Sequence, residues 1–157
     1  MAKTIEVGDT APDFELSDQS GQRQTLRGLC EQGPLVLYFY PKDDTPVCTQ
    51  EACYFRDDRS AFQEAGAQVV GVSDDSVQSH DKFAQRHGLE FKLLADVGGR
   101  VREAYGVGKT LGLLKGRVTF VIDRERVVRH VFRSQLAARR HVDEALESVR
   151  AIAARRA

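Results

Sequence analysis

The run PLVLYFYP (residues 34–41) carries only apolar or aromatic side chains between and including its two prolines. A strand with one wet face alternates polar and apolar residues. A run this continuous predicts a strand covered on both faces, which a sheet between two helical layers provides. The rest of the chain repeats the theme. AQVVGVSDD (67–75) reads as a second buried strand and EFKLLAD (90–96) as a short one. RVTFVID (117–123) and VVRHVFR (127–133) read as strands joined by the charged turn RER. Helical patterns fall between them. CTQEACYFRDDRSAFQEAG (48–66) predicts a helix ending at Gly66, and SVQSHDKFAQRHG (76–88) one ending at Gly88. RVREAYGV (100–107) predicts a short helix. In the tail, Val142, Ala145, Leu146, Val149, Ile152 and Ala153 form one apolar helical stripe, which packs on the body. APDFELSDQSGQRQTLRGL (11–29) alternates about a Ser-Gly turn and predicts an N-terminal hairpin. The expected fold class is therefore α/β: one domain over residues 1–157, with a mixed central sheet, helices on both faces and an N-terminal β-hairpin.

Charge narrows the partners. Lys and Arg number 23, and Asp and Glu number 23, so no basic footprint for nucleic acid or an anionic membrane is expected. No apolar run approaches membrane-spanning length. The opening MAKTIEVGDTAPDFEL lacks the apolar centre of a signal peptide, so a cytoplasmic protein is expected. Three cysteines are too few for a disulfide-stapled secreted scaffold. In a reducing compartment a close pair points to redox, catalytic or metal chemistry.

Cys48 and Cys53 form that pair, spaced C-x4-C, just after the first buried strand. This is not the C-x2-C of zinc ribbons or thioredoxin-type sites. DDTPV (43–47) offers turn and cap chemistry, so Cys48 is expected in or beside the first helical turn. Unpaired backbone N–H groups and the helix dipole favour an anion there, and the thiolate is the reactive form of cysteine. Thr45 can place a hydroxyl beside the sulfur. Glu51 lies one turn along the same face. Taken singly, each residue has a plainer reading. Cys48 could be a small buried hydrophobe, Glu51 a helix-surface carboxylate, Arg117 a solvated strand-edge residue and Cys53 a buried helix residue.

PKDDTPVCTQEAC (41–53) resembles the peroxiredoxin active-site motif P-x-x-x-T-x-x-C, and within that family the bacterioferritin comigratory protein, or peroxiredoxin Q, subfamily. The likeness continues through APDFEL, VLYFYPKDDTPVCT, ACYFRD, VVGVSDDS, LLADVGGRVREAYGV and GRVTFVIDRERVV. The resemblance implies a thioredoxin-like fold and a thiol-dependent peroxidase acting on hydrogen peroxide and organic hydroperoxides. It implies that Cys48 is the peroxidatic cysteine, oxidised to a sulfenic acid. Thr45 would hydrogen-bond thiolate and peroxide, Pro41 would shield the sulfur, Arg117 would touch both, and Glu51 would orient Arg117. Cys53 would be the resolving cysteine, forming an intramolecular Cys48–Cys53 disulfide that thioredoxin, or glutaredoxin, reduces. No haem, flavin or metal is called for. Five helical residues rise about 7.5 Å and turn the two side chains roughly 140° apart, whereas a disulfide needs Cα atoms within about 7 Å. The bond therefore requires the start of the helix to unwind. An internal resolving cysteine favours a monomer.

Other signals carry less. GVGKT lacks the earlier glycine of a phosphate loop: Glu103 stands there. His80, His87, His130 and His141 have polar neighbours and read as surface residues. None stands at metal-ligand spacing with the cysteines, so no zinc site is expected. Cys30, in RGLCEQG, reads as a bystander thiol in a connecting loop. Two other functions stay open beside the peroxidase. A thioredoxin-type oxidoreductase is disfavoured by the C-x4-C spacing and by the lack of any proline after Pro46. The other is a non-enzymatic redox sensor or holdase whose helix unwinds on oxidation.

Overall fold

A computed structural model describes residues 4–110 and 114–156. The N-terminal hairpin pairs β1 (Glu15–Ser17) with β2 (Arg23–Thr25). The short helix α1 (Leu26–Glu31) follows, capped by the Thr25 side chain. The apolar run forms β3 (Leu35–Phe39), buried at every position. Then come α2 (Pro46–Asp57), α3 (Arg59–Glu64), β4 (Gln68–Ser73), α4 (Val77–His87), β5 (Lys92–Ala95) and α5 (Arg100–Ala104). The two-residue strands β6 (Lys109–Thr110) and β7 (Leu114–Lys115) pair with each other. The chain closes with β8 (Val118–Ile122), β9 (Val128–Arg133) and α6 (Ala138–Arg156).

The main sheet has seven strands in the order β2-β1-β5-β4-β3-β8-β9. Strands β3, β4 and β5 run parallel, as buried crossover strands do, while β1, β8 and β9 make antiparallel pairs that render the sheet mixed. Side chains alternate across β3. Val36, Tyr38 and Tyr40 enter the core under α2, α3, α4 and α6. Leu35, Leu37 and Phe39 enter the second core, under α1 and α5. Tyr38 explains a glycine: a Cβ at Gly71 would lie 2.8 Å from the Tyr38 ring, so only glycine lets the phenol cross β4.

Three expectations need correction. The helix expected over residues 48–66 begins earlier, because Pro46 suits the first helical position, where no N–H is needed. It also breaks at Asp58, which Arg139 of α6 grips; the break keeps Phe55 and Phe62 in one core with ring centroids 5.7 Å apart. Cys30 lies in α1, not in a loop. His80 and His141 are fully buried, not surface residues. His80 shares a helical face with Phe83 and Ala84, and His141 shares one with Ala138 and Ala145, so burial of the face carries each ring inward.

Candidate active site

The site forms where β3 ends and α2 begins. The chain leaves the sheet at Tyr40 and Pro41 and turns through residues 42–45. Asp44 adopts a left-handed backbone (φ 60°), which aspartate tolerates better than most residues. Thr45 is the N-cap of α2. Thr49 N–H donates to Thr45 O, so the N–H groups of Val47 and Cys48 in the first turn lack intrahelical acceptors, and Pro46 has none to offer. Cys48 is the third helical residue and is buried.

Arg117, immediately before β8, reaches this helix start. Its Nη2 lies 3.2 Å from Cys48 Sγ, its Nη1 donates to Glu51 Oε1 at 2.7 Å, and its Nε donates to the Gln135 carbonyl at 3.0 Å. The planar fork thus points at three acceptors at once, which a lysine cannot do. Arg117 and Glu51 are both buried. Burial opposes the guanidinium charge, but Glu51 and Cys48 outweigh it and raise the Arg117 pKa. Burial pushes the Glu51 carboxyl up to about 7, against the pull of Arg117. Thr45 stands at the N-cap of α2, and its hydroxyl proton goes to the Lys42 carbonyl at 2.8 Å. Toward an incoming group Thr45 therefore offers a lone pair. Pro41 is half-buried at the loop start.

Cys53 is half-buried in the middle of α2, and both it and Cys48 are free thiols. The intact helix separates them, as the sequence geometry requires. Cys30 is free and buried in the opposite core, and burial pushes its thiol up to about 11.

Two features escaped sequence reasoning. The first is Arg102 of α5. Its buried guanidinium donates to the Tyr40 carbonyl at 2.5 Å and the Gly116 carbonyl at 2.8 Å. It thereby joins the segment leading to Pro41 to the segment leading to Arg117. In sequence it passes for a helix-surface arginine; the available signal was its place three residues before the buried Tyr105. The second is a network under the loop. Asp43 accepts from the Tyr40 hydroxyl at 2.6 Å and from the Ser79 hydroxyl at 2.8 Å, and it lies 2.7 Å from His80 Nδ1. Asp75 accepts from Asp43 N–H at 2.8 Å and from the Ser73 hydroxyl at 2.6 Å. Ligand atoms of Asp43, Asp75 and His80 lie within 4.8 Å of one another, close enough for a cation. Protein donors already occupy both Asp43 oxygens and Asp75 Oδ2, so the cluster braces the loop around Asp43.

A thioredoxin-like sheet with a buried cysteine at a helix start, faced by a fixed guanidinium, defines a thiol-based redox protein. Comparison with known proteins narrows the class. The AhpC/TSA family model matches residues 7–131. Among curated relatives, the chain is 44% identical over 149 residues to the chloroplastic peroxiredoxin Q of Sedum lineare, covering 94% of this chain and 80% of that one. It is 43% identical over 148 residues to the Arabidopsis thaliana counterpart, covering 94% and 68%. Among solved structures, peroxidoxin BcpB from Mycobacterium tuberculosis superposes with TM-score 0.88 at 44% identity, covering 94% of this chain and 98% of that one. The bacterioferritin comigratory protein of Xanthomonas campestris gives 0.84 at 35% identity, covering 95% and 98%. The chain belongs to the AhpC/TSA family, among the peroxiredoxins of the peroxiredoxin Q and bacterioferritin comigratory protein group.

Proposed function

We propose that the protein is a thiol-dependent peroxidase working through a Cys48 sulfenic acid and a Cys48–Cys53 disulfide. The observation that carries the reading is the 3.2 Å contact between Arg117 Nη2 and the Cys48 sulfur, in a site closed to bulk water. The thiolate attacks the terminal oxygen of a hydroperoxide. An S–O bond forms, the O–O bond breaks, and Cys48 is left as the sulfenic acid S–OH. The departing RO⁻ takes up one proton to become an alcohol, or water when the substrate is hydrogen peroxide. Charge spreads from sulfur over two oxygens in this step. Arg117 and the free N–H groups of the first turn of α2 are aimed where that charge develops. The Thr45 lone pair would accept the peroxide O–H, and Pro41, half-buried at the loop start, is the residue assigned to shield the sulfur.

The Cys53 thiol then attacks the sulfenic acid, forming the disulfide and releasing water. The start of α2 unwinds to allow it. A thioredoxin-type dithiol returns both cysteines to thiols, with glutaredoxin as the second candidate. Both cysteines sit on one helix, so a single chain completes the cycle, and we propose a monomer. The proposed compartment is the cytosol, whose reducing poise favours the thiol form. Among the described residues, no helix is long and apolar enough to cross a membrane.

The test is peroxide-dependent NADPH consumption with thioredoxin and its reductase. Cys48→Ser and Cys53→Ser should each abolish turnover, with a sulfenic acid still trapped at Cys48 in the second variant. Full turnover without Cys53 would remove the disulfide from the cycle. Insulin reduction by the wild type would favour a thioredoxin-type oxidoreductase instead.

A further inference from the structure

The Glu51 carboxyl is satisfied on one side only. Oε1 accepts from Arg117, while Oε2 is buried with no hydrogen-bond partner. A buried anionic oxygen without a donor is costly, so native proteins supply one. The polar atom facing Oε2 is Nδ1 of His141 on α6, at 3.6 Å.

A neutral His141 has no proton to give there. Its Nε2 lies 2.8 Å from the Ser134 carbonyl, which can only accept, so Nε2 carries the hydrogen. Its Nδ1 lies 2.7 Å from the Thr119 hydroxyl and, in that tautomer, accepts from it. Two acceptors, Oε2 and Nδ1, therefore face each other inside the protein. An ionised Glu51 sets two acceptors against each other; a proton on Oε2 removes that repulsion, and it can reach the single Nδ1 lone pair only in competition with the Thr119 O–H. Burial lowers the His141 ring to about 4 and pushes Glu51 up to about 7, so the proton belongs on the carboxyl.

We propose that Glu51 holds one exchangeable proton on Oε2, facing Nδ1 of His141, in the reduced protein, making His141 a positioning residue for Arg117. The proposal rests on the reading of Cys48 as the attacking thiol. With the proton in place, Arg117 faces a neutral carboxylic acid and a single sulfur anion. Without it, the guanidinium is shared between two anions, and less of its charge serves the sulfur. Other groups bear on the pair. Arg117 on β8 is the fixed cation. Tyr38 on β3 presents a buried phenol held neutral by burial and by Glu51 itself. Cys48 lies on the same helix as Glu51, and Glu144 on α6 favours a charged His141.

The experiment follows the carboxylic-acid C=O stretch of the reduced protein by infrared spectroscopy between about pH 5 and pH 9, around the ordinary carboxyl and imidazole ranges. Peroxide reaction rates are measured by stopped flow at the same pH values. In the wild type the band should fade as pH rises through about 7, with an inflection in the rate at the same pH. Glu51→Gln keeps an acceptor for Arg117 and gives His141 a permanent N–H; it should remove both band and inflection. His141→Leu removes the acceptor and should lower the midpoint by about one pH unit, a tenfold loss of proton affinity. Thr119→Val removes the competing donor at Nδ1 and should raise the midpoint. Absence of a Glu51-dependent band in the wild type overturns the proposal, as do shifts of the same sign in the His141 and Thr119 variants. The wild-type band is decisive even where a variant fails to fold. Absence of peroxide reduction would sink the peroxidase reading instead, and the infrared titration would still test the proton.

Discussion

Arg117 Nη2 and Cys48 Sγ are 3.2 Å apart in space and 69 residues apart in the chain. The contact exists because β8 pairs antiparallel with β3, placing Val118 opposite Phe39, so the residue before β8 meets the helix that follows β3. Arg117→Met should slow the attack of Cys48 on peroxide by about 10²–10³-fold, the usual cost of one preorganised donor at a developing charge. Arg117→Lys should recover only part, because an ammonium cannot serve Glu51, Gln135 and the sulfur together. Stopped-flow rates check both, and a loss below about threefold in Arg117→Met would remove Arg117 from the mechanism.

Arg102 links the Tyr40 and Gly116 carbonyls from below. Arg102→Leu leaves both carbonyls buried without their donor. It should cost about 2–4 kcal/mol in urea unfolding, within the range for breaking a buried charged hydrogen-bond network. The peroxide rate should fall as well, because the segments bearing Pro41 and Arg117 lose their common tether. Unchanged stability would mean that other contacts hold the two segments.

Arg139 fastens the far half of α2. Its guanidinium lies 4.9 Å from the centre of the Tyr54 ring and pairs with Asp58 and Asp143. If α2 must unwind for Cys53 to reach Cys48, Arg139→Ala should speed disulfide formation by about two- to fivefold, matching a half-exposed cation–π contact of about 0.5–1 kcal/mol. Amide exchange of α2 should be much faster in the oxidised protein than in the reduced one. Equal exchange in the two states would contradict the unwinding.

Glu51 and His141 should write opposite slopes into stability against pH. The Glu51 carboxyl moves from an ordinary 4.5 up to about 7 on folding, so its contribution is present below 4.5 and is lost as pH rises to about 7. The His141 ring moves from 6.5 down to about 4, so its contribution is present above 6.5 and is lost as pH falls to about 4. In the wild type the two slopes largely cancel between these limits. Glu51→Gln should expose the His141 slope alone, a gain of about 3 kcal/mol as pH rises across its window. His141→Leu should expose the reverse slope. Urea midpoints measured across the range check both signs.

Cys30 should remain unlabelled by iodoacetamide in the native protein at neutral pH, because burial both hides it and pushes its thiol up to about 11. Cys30→Ala should leave peroxide turnover unchanged. Mass spectrometry of the alkylated protein and the coupled assay test the two halves.

Much of this molecule was open to reading residue by residue. The buried strands announce themselves as unbroken apolar runs, because a strand covered on both faces has no position left for a polar side chain. Pro46 is a local mark of the start of α2, since a missing N–H costs nothing at the first helical position, although the helix pattern by itself begins only at Cys48. Those elements place Cys48 among free N–H groups without reference to any distant residue. The role of Arg117 came only through family resemblance; its own surroundings in the chain describe a strand-edge cation.

What the sequence left undecided depends on which strands become neighbours. The Arg117–Glu51 and Arg102–Tyr40 contacts span 66 and 62 residues, and each follows from the sheet order, not from any local pattern. The buried histidines belong to the same category. Polar neighbours along the chain suggested exposure, yet the helical faces of His80 and His141 turn inward because α4 packs beside β5 and α6 packs over β8. Propensity, capping and periodicity act over a few residues and are written in order along the chain. The charge environment of Cys48 is assembled from α2 itself, the segment before β8 and helices α5 and α6, and only the folded chain brings them together.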